Sequence, residues 1–294
     1  MILLFTVHCS LIKLIPLIQP PSINFRPVWL CVVGVFLAAL LFISPVAAAE
    51  IVQNNSSTAI IDRIEDNNVI YLGENHDRID HHRQQLKIIT QLYQHQASQL
   101  KLAIALEMFQ RPFQPVLNRY LAGEIDEERL KEQTEYETRW GFDWEFYAPI
   151  LRFARANQIP LIALNTPAEI TFKVAESGLN SLQGSDFRYI PPLTDIDLDN
   201  QIYRQRIEQI YYQHVENDLG NSQDADNFFA AQILWDETMA EAIANYYQNH
   251  PESQIVVLVG KAHVMHDYAI PDRVARRIAD FCFTQESLLL GRDE

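Results

Sequence analysis

Four short polar sequences carry the residue types that could do chemistry: Gly73-Glu74-Asn75-His76-Asp77, Glu107-Met108-Phe109-Gln110-Arg111, Asn165-Thr166-Pro167 and Gly260-Lys261-Ala262-His263. Carboxylates and imidazoles move protons near neutral pH, and the same atoms ligate Zn²⁺ or Mn²⁺. Glu74, His76, Glu107 and His263 therefore stand as the candidate catalytic set. His76, Glu107 and His263 are also the candidate metal ligands, and a metal there would lower the pKa of a bound water. Without metal, a His–Glu pair can activate water as a general base. No compact signature such as H-E-x-x-H occurs, so these scattered residues must be gathered by the fold.

The gathering elements are apolar runs that stop where the polar sequences start. They are Val69-Ile70-Tyr71-Leu72, Leu102-Ala103-Ile104-Ala105-Leu106, Leu161-Ile162-Ala163-Leu164 and Ile255-Val256-Val257-Leu258-Val259. Near-continuous apolar character is what strands covered on both faces show. Helical patterns separate them: Ile79 to Gln94, and Tyr147 to Ala156, which Gln158-Ile159-Pro160 stops. Alternating strands and helices predict an α/β fold, a mostly parallel sheet flanked by helices. In such a sheet ligands bind beyond the carboxyl ends of the strands. Every run ends in groups that hydrogen-bond, ligate or move protons, so the spacing predicts one shared pocket. Gly73 and Gly260 fit turns that need positive φ or close approach. Glu107, ending an apolar strand, needs a partner, because an unpaired buried carboxylate is costly. Arg111, His76, His263 or a cation would each serve.

Two segments are too long for simple crossovers. Residues from about 111 to 146, and from about 198 to 248, read as helical insertions forming a smaller subdomain beside the sheet. Gly178 to Asp197 reads as loop. His81 and His82, at a helix start, are expected to face solvent. Trp140, Trp144 and Trp235 are expected to pack, as are the tyrosines of the second insertion.

Residues 1–49 differ in kind. Trp29 to Ile43 is an uncharged apolar run of about 15 residues, preceded by Arg26 and followed by Ala47-Ala48-Ala49, the pattern of a secretory leader cut before Glu50. The alternative is an uncleaved membrane anchor, since a span needs roughly 20 apolar residues. Residues 50–294 are then one large domain. Cys9 and Cys31 fall in the leader, leaving Cys282 without an internal disulfide partner; its sequence context reads as a buried thiol. The net charge of −15 argues against nucleic acid and against anionic lipid.

Gly-Glu-Asn-His-Asp at 73–77, Ala-Leu-Glu-Met-Phe at 105–109, Leu-Trp-Asp-Glu-Thr-Met-Ala at 234–240 and Val-Gly-Lys-Ala-His-Val at 259–264 resemble the ChaN-like family. These are exported haem-binding proteins implicated in iron uptake, within the Tiki/TraB superfamily. The resemblance spans about residues 60 to 280 and implies a parallel-sheet domain with a smaller helical part. It also implies haem binding linked to homodimerisation, in a periplasmic or membrane-associated protein. Lys261 and Arg111, with Arg139, are the cations available to haem propionates. The axial ligand is left open among the histidines and tyrosines, phenolate ligation of haem iron being known chemistry. No C-x-x-C-H motif is present for covalent attachment. Family members are often lipoproteins, whereas Trp29 and Leu30 stand where a lipid-modified Cys31 would need small residues. The superfamily includes metal-dependent proteases, and erythromycin-esterase-like hydrolases are similar in placing Glu and His at strand ends. By that similarity Glu74, His76, Glu107 and His263 carry over. The expected function is thus exported haem handling, with a metal-dependent hydrolase using Zn²⁺ or Mn²⁺ as the alternative.

Overall fold

The four apolar runs form strands β1 (Val69–Glu74), β2 (Lys101–Gln110), β3 (Leu161–Asn165) and β4 (Ser253–Gly260). The computed structural model describes residues 59–95, 101–216, 224–265 and 269–291. The expected leader, residues 1–49, lies outside the described residues. A further strand, β5 (Gln285–Leu289), joins one edge. The order is β3-β2-β4-β1-β5 and every neighbouring pair is parallel, as expected of an α/β fold. Among the described residues only one flank of β5 is paired, and most of its residues are half-exposed, so its sequence needs no apolar run.

Alternation along the strands divides the core. Ile70, Leu72, Ile104, Leu106, Val256 and Leu258 point to one face; Val69, Tyr71, Ala103, Ala105, Ile255, Val257 and Val259 point to the other. The first face is covered by α1 (Ile79–His95), α2 (Gln114–Leu121), α3 (Glu127–Gln133) and α5 (Trp144–Ala156), with the short α4 (Tyr136–Arg139) alongside. The second face is covered by α8 (Ala225–Asn249), through Met239, Ile243 and Tyr247, and by α9 (Ile270–Arg277). Two smaller apolar clusters seat α6 (Ala168–Ser177) and α7 (Gln201–Glu216) against α8. The segment read as a second insertion thus contains the helix that seals half the sheet. Between α6 and α7, the expected loop holds three 3-10 turns: Leu179–Ser181, Gly184–Arg188 and Leu193–Asp195.

Aspartates start three of the helices by accepting backbone N–H groups: Asp126 from Arg129, Asp143 from Glu145 and Asp224 from Asn227. On the outer edge of β3, Gln114 takes the place of a strand. Its Nε2 donates to Leu161 O at 2.8 Å, and its Oε1 accepts from Ala163 N at 2.7 Å. Cys282 is exposed rather than buried, because the turn leading into the edge strand β5 lies at the surface. No helix among the described residues is long and apolar enough to cross a membrane.

Candidate functional site

Strand order puts the carboxyl ends of β1 and β2 on either side of β4, and register finishes the job. Glu74 lies opposite Gly260, and Leu106 lies opposite Leu258, so Glu107 emerges beside the turn after β4. The β2–β3 pairing slips between Leu106 and Gln110, an irregularity of the kind that re-aims side chains next to active sites. The 3-10 turn Lys261–His263 then returns His263 to the interior.

Glu107 is buried and its partners are settled. Its Oε2 accepts Gly260 N–H at 2.6 Å, and its Oε1 lies 3.4 Å from His263 Nε2. Arg111 is not among them. It pairs with Glu241 at 2.5 Å and lines a different cavity beside β3, with Gln114 and Tyr246. Lys261 is exposed and also does not line the cavity at the strand ends. Leaving a strand near the site does not fix where a side chain points, and neither expected propionate cation lines this cavity.

Glu74 is a buried hub. Its Oε1 accepts from His76 Nδ1 at 2.9 Å and from Tyr147 OH at 2.6 Å. Its Oε2 accepts from Gln85 Nε2 at 2.5 Å and lies 3.4 Å from His82 Nδ1. Burial would raise its pKa, but these hydrogen bonds and the charge of His82 outweigh burial and hold it below the ordinary carboxylate range. Burial and the neighbouring Glu74 charge push Tyr147 well above the usual phenol range, so it remains a donor. His82, expected in solvent, is buried between Phe146 and Tyr147 and helps hold Glu74. His81 is buried too, accepting Asn75 N–H at 2.9 Å. These two histidines fix the β1–α1 turn from which His76 projects.

His76 uses Nδ1 on Glu74, and its ring packs edge-on to Trp140 at 4.8 Å and beside Phe142 at 5.0 Å. Its Nε2 lies against Gly260, where an added Cβ would stand 2.8 Å away. Gly260 has an ordinary φ of −58°, so glycine is demanded there by close approach alone. Burial lowers the His76 pKa, but the Glu74 hydrogen bond and the Glu107 charge win and raise it.

Asp236, on α8, was not among the residues that the sequence pattern singles out for chemistry. It is fully buried, lies 2.5 Å from His263 Nδ1, and accepts a hydrogen bond from Tyr203 OH. Burial opposes charge on His263, but Asp236 and Glu107 prevail and push it up to about 9. The available signal was an acidic pair, Asp236-Glu237, inside an otherwise apolar helical stretch. Glu237 answers to a different need: Arg276 and Arg277 of α9 bind it and tie α9 to α8.

The side chains meet in a cavity of about 660 Å³ above the strand ends, to which His76, Glu107 and His263 all contribute; Glu74 stands behind His76. Trp140, Phe142, Phe172 and Trp235 give it apolar walls, so Trp140 and Trp235 do more than pack; Trp144 is core. Thr166 lines the cavity with its hydroxyl buried and without a hydrogen-bond partner among the described residues. Arg139 joins Gln110 inside to Glu135 and Glu169 outside. The expectation of a metal on His76, Glu107 and His263 is not supported. Among the described residues no group of three or more His, Cys, Asp or Glu is placed to hold one, and His263 and Glu107 are turned on each other and on Asp236 and Gly260.

A family model described as haem-binding uptake, Tiki superfamily, ChaN, matches residues 60–274. The Arabidopsis thaliana protein RETICULATA-RELATED 5, chloroplastic, is 26% identical over 187 residues, which are 62% of this chain and 25% of that protein. The chain thus spans about a quarter of the length of that relative. A solved structure, "Cofacial heme binding to ChaN of Campylobacter jejuni", superposes with a TM-score of 0.61 at 18% identity, over 81% of this chain and 87% of that one, which shows a shared fold. An erythromycin esterase mutant in its open conformation gives a TM-score of 0.45 at 12% identity, over 79% of this chain and 72% of the other.

Proposed function

The chain belongs to the haem-binding uptake family of the Tiki superfamily, ChaN, and from that premise we propose that it binds haem in the cavity above the strand ends. The observation that carries this reading is His76, which lines the cavity between Trp140 and Phe142 and whose Nε2 has no hydrogen-bond partner among the described residues. A haem site needs an apolar slot, an axial ligand and a donor for its propionates. The aromatic walls supply the slot, within the usual size of about 300–1,000 Å³ for ligand pockets. His76 Nε2 supplies a nitrogen ligand, and Arg139 a cation for a propionate in place of Arg111 and Lys261. Bound haem would bring an iron centre whose properties its ligand tunes. Glu74, by holding Nδ1, fixes the imidazole tautomer and strengthens Nε2 as a donor. Haemin titrated into the protein should give a saturable, shifted Soret band typical of a nitrogen ligand, and His76→Ala should change it. A spectrum that matches free haemin in both proteins would refute the reading.

The wider role belongs to the same proposal. Residues 1–49 act as a secretory leader cut before Glu50, and residues 50–294 form the exported domain with helical insertions near 111–146 and 198–248. The protein handles haem or iron in the periplasm or at a membrane, as a homodimer. Ala47 and Ala49 support the cleavage. N-terminal sequencing of exported material should find Glu50 first, and sedimentation with haemin should report a dimer.

A further inference from the structure

Beyond haem binding and independently of it, we infer that the cavity beside β3 is a second ligand site, one that takes a small aromatic monocarboxylate and holds its charge on Arg188.

This cavity, of about 670 Å³, is as large as the one above the strand ends and shares no lining residue with it. Its size falls within the usual range for ligand pockets. β3 contributes Leu161 and Ile162, α2 contributes Gln114, the last turns of α8 contribute Tyr246, and the 3-10 turn Gly184–Arg188 contributes its final residue.

Charge sets the site apart. The chain has 38 Asp and Glu against 23 Lys and Arg. Yet among the described residues none that lines this cavity is acidic, while Arg111, Arg188 and His250 all do so. The cavity above the strand ends is the reverse: Glu107, Glu135 and Glu169 line it, and Arg139 is bound to two of them. The two arginines beside β3 are unequal. Arg111 Nη1 is neutralised by Glu241 at 2.5 Å, which leaves its other N–H groups as donors without net charge. Arg188 is exposed and has neither ion pair nor hydrogen bond among the described residues. Counting histidine as neutral, one positive charge is therefore available. A monoanion is matched by it, whereas a second negative charge would face a chain of net charge −15 with no counter-charge. A carboxylate also fits the planar fork of a guanidinium.

The walls choose the body of the ligand. Tyr246 and His250 stack with centroids 4.3 Å apart and planes at 21°, Tyr189 adds a third ring, and Leu161 and Ile162 add aliphatic surface. A flat aromatic ring makes the most of such neighbours. An extended peptide laid along β3 is the rival occupant. Gln114 stands against it, because its amide already holds Leu161 O and Ala163 N. The site is one read by side chains rather than by backbone.

The test titrates 2-naphthoate into the full chain by calorimetry, with 2-naphthamide and 2-naphthyl phosphate as its neutral and dianionic counterparts. Naphthoate should bind once per chain with a Kd of about 1 mM or tighter, and the other two at least about fivefold more weakly. Arg188→Ala removes an exposed side chain that has no partner to lose, so the fold should persist while affinity falls about tenfold. Arg188→Glu should abolish binding, and Phe172→Ala, in the wall of the other cavity, should leave it unchanged. Naphthoate affinity that survives Arg188→Glu would overturn the inference. So would naphthamide binding as tightly as naphthoate, a preference for the phosphate, or binding lost in Phe172→Ala.

Discussion

Two acid–histidine pairs face each other across Glu107, and they are opposites in construction. Glu74–His76 sits at the end of β1 with its imidazole half-open to a cavity. Asp236–His263 joins a helix to the turn after β4 and is sealed. In the first, the carboxylate is saturated with donors and the ring keeps a nitrogen to spare. In the second, the ring is saturated with acceptors and keeps only charge. Chemically similar pairs thus take different roles, one available to a ligand and one holding the wall in place, because burial and partners differ.

The severest way to break the contrast is to remove the sealed carboxylate. Asp236→Ala leaves the His263 charge without its nearest partner and Tyr203 OH without its acceptor. Loss of one member of a buried pair should cost about 3 kcal/mol in urea unfolding. A change below about 1 kcal/mol would mean that water replaces Asp236 and the pair is not sealed.

A change of pH probes the same pair without mutation. The His263 pKa is raised from 6.5 to about 9, so its contribution is fully present below pH 6.5 and lost as pH rises through 9. Unfolding free energy should fall across that window by up to about 3 kcal/mol. Glu74 works in the opposite sense: its pKa is depressed, so its contribution holds above the ordinary carboxylate range and is lost as acid reaches the folded value. Denaturation at several pH values reads both, and a flat profile from pH 6 to 10 would contradict the sealed charge.

Gly260→Ala sharpens the comparison from the open side. The new Cβ would stand 2.8 Å from His76 Nε2 and 3.6 Å from Glu107 Oε2, so the His76 ring must move. Stability should drop by about 1–2 kcal/mol, and the haemin spectrum should change as it does in His76→Ala. The smallest stability effect belongs to His76→Ala itself. A half-exposed residue at a cavity wall should cost under about 1 kcal/mol, whereas His263→Ala, which strips Glu107 and Asp236 of a shared cation, should cost clearly more. Equal costs would erase the distinction.

The parallel sheet and its polar edge were legible because strands buried on both faces must be apolar throughout, and the polar residues at their carboxyl ends stand out by contrast. That logic found β1 to β4 and the convergence of His76, Glu107 and His263. It could not find β5, whose outer flank lacks a neighbouring strand, or Asp236, which approaches from a helix rather than a strand end. It misjudged His81 and His82, because a helix start reads as exposed unless one knows that α5 lies over His82 and that His81 is turned to Asn75 and Gly291. Arg111 and Lys261 show a further limit: proximity in sequence to a site gives no side-chain direction. The metal expectation is unsupported for a related reason, since residue types reveal possible ligands but not that Glu107 and His263 are already engaged with each other.

Gln114 has a consequence outside the cavity. An all-parallel sheet ends in a strand whose peptide groups invite another strand, and β3 is that end here. By offering one amide where a neighbouring backbone would offer two peptide groups, Gln114 acts as a counterfeit of the next strand, one residue long. Two of the edge's peptide groups are thereby satisfied within the chain, which shortens the seam on which another strand could pair.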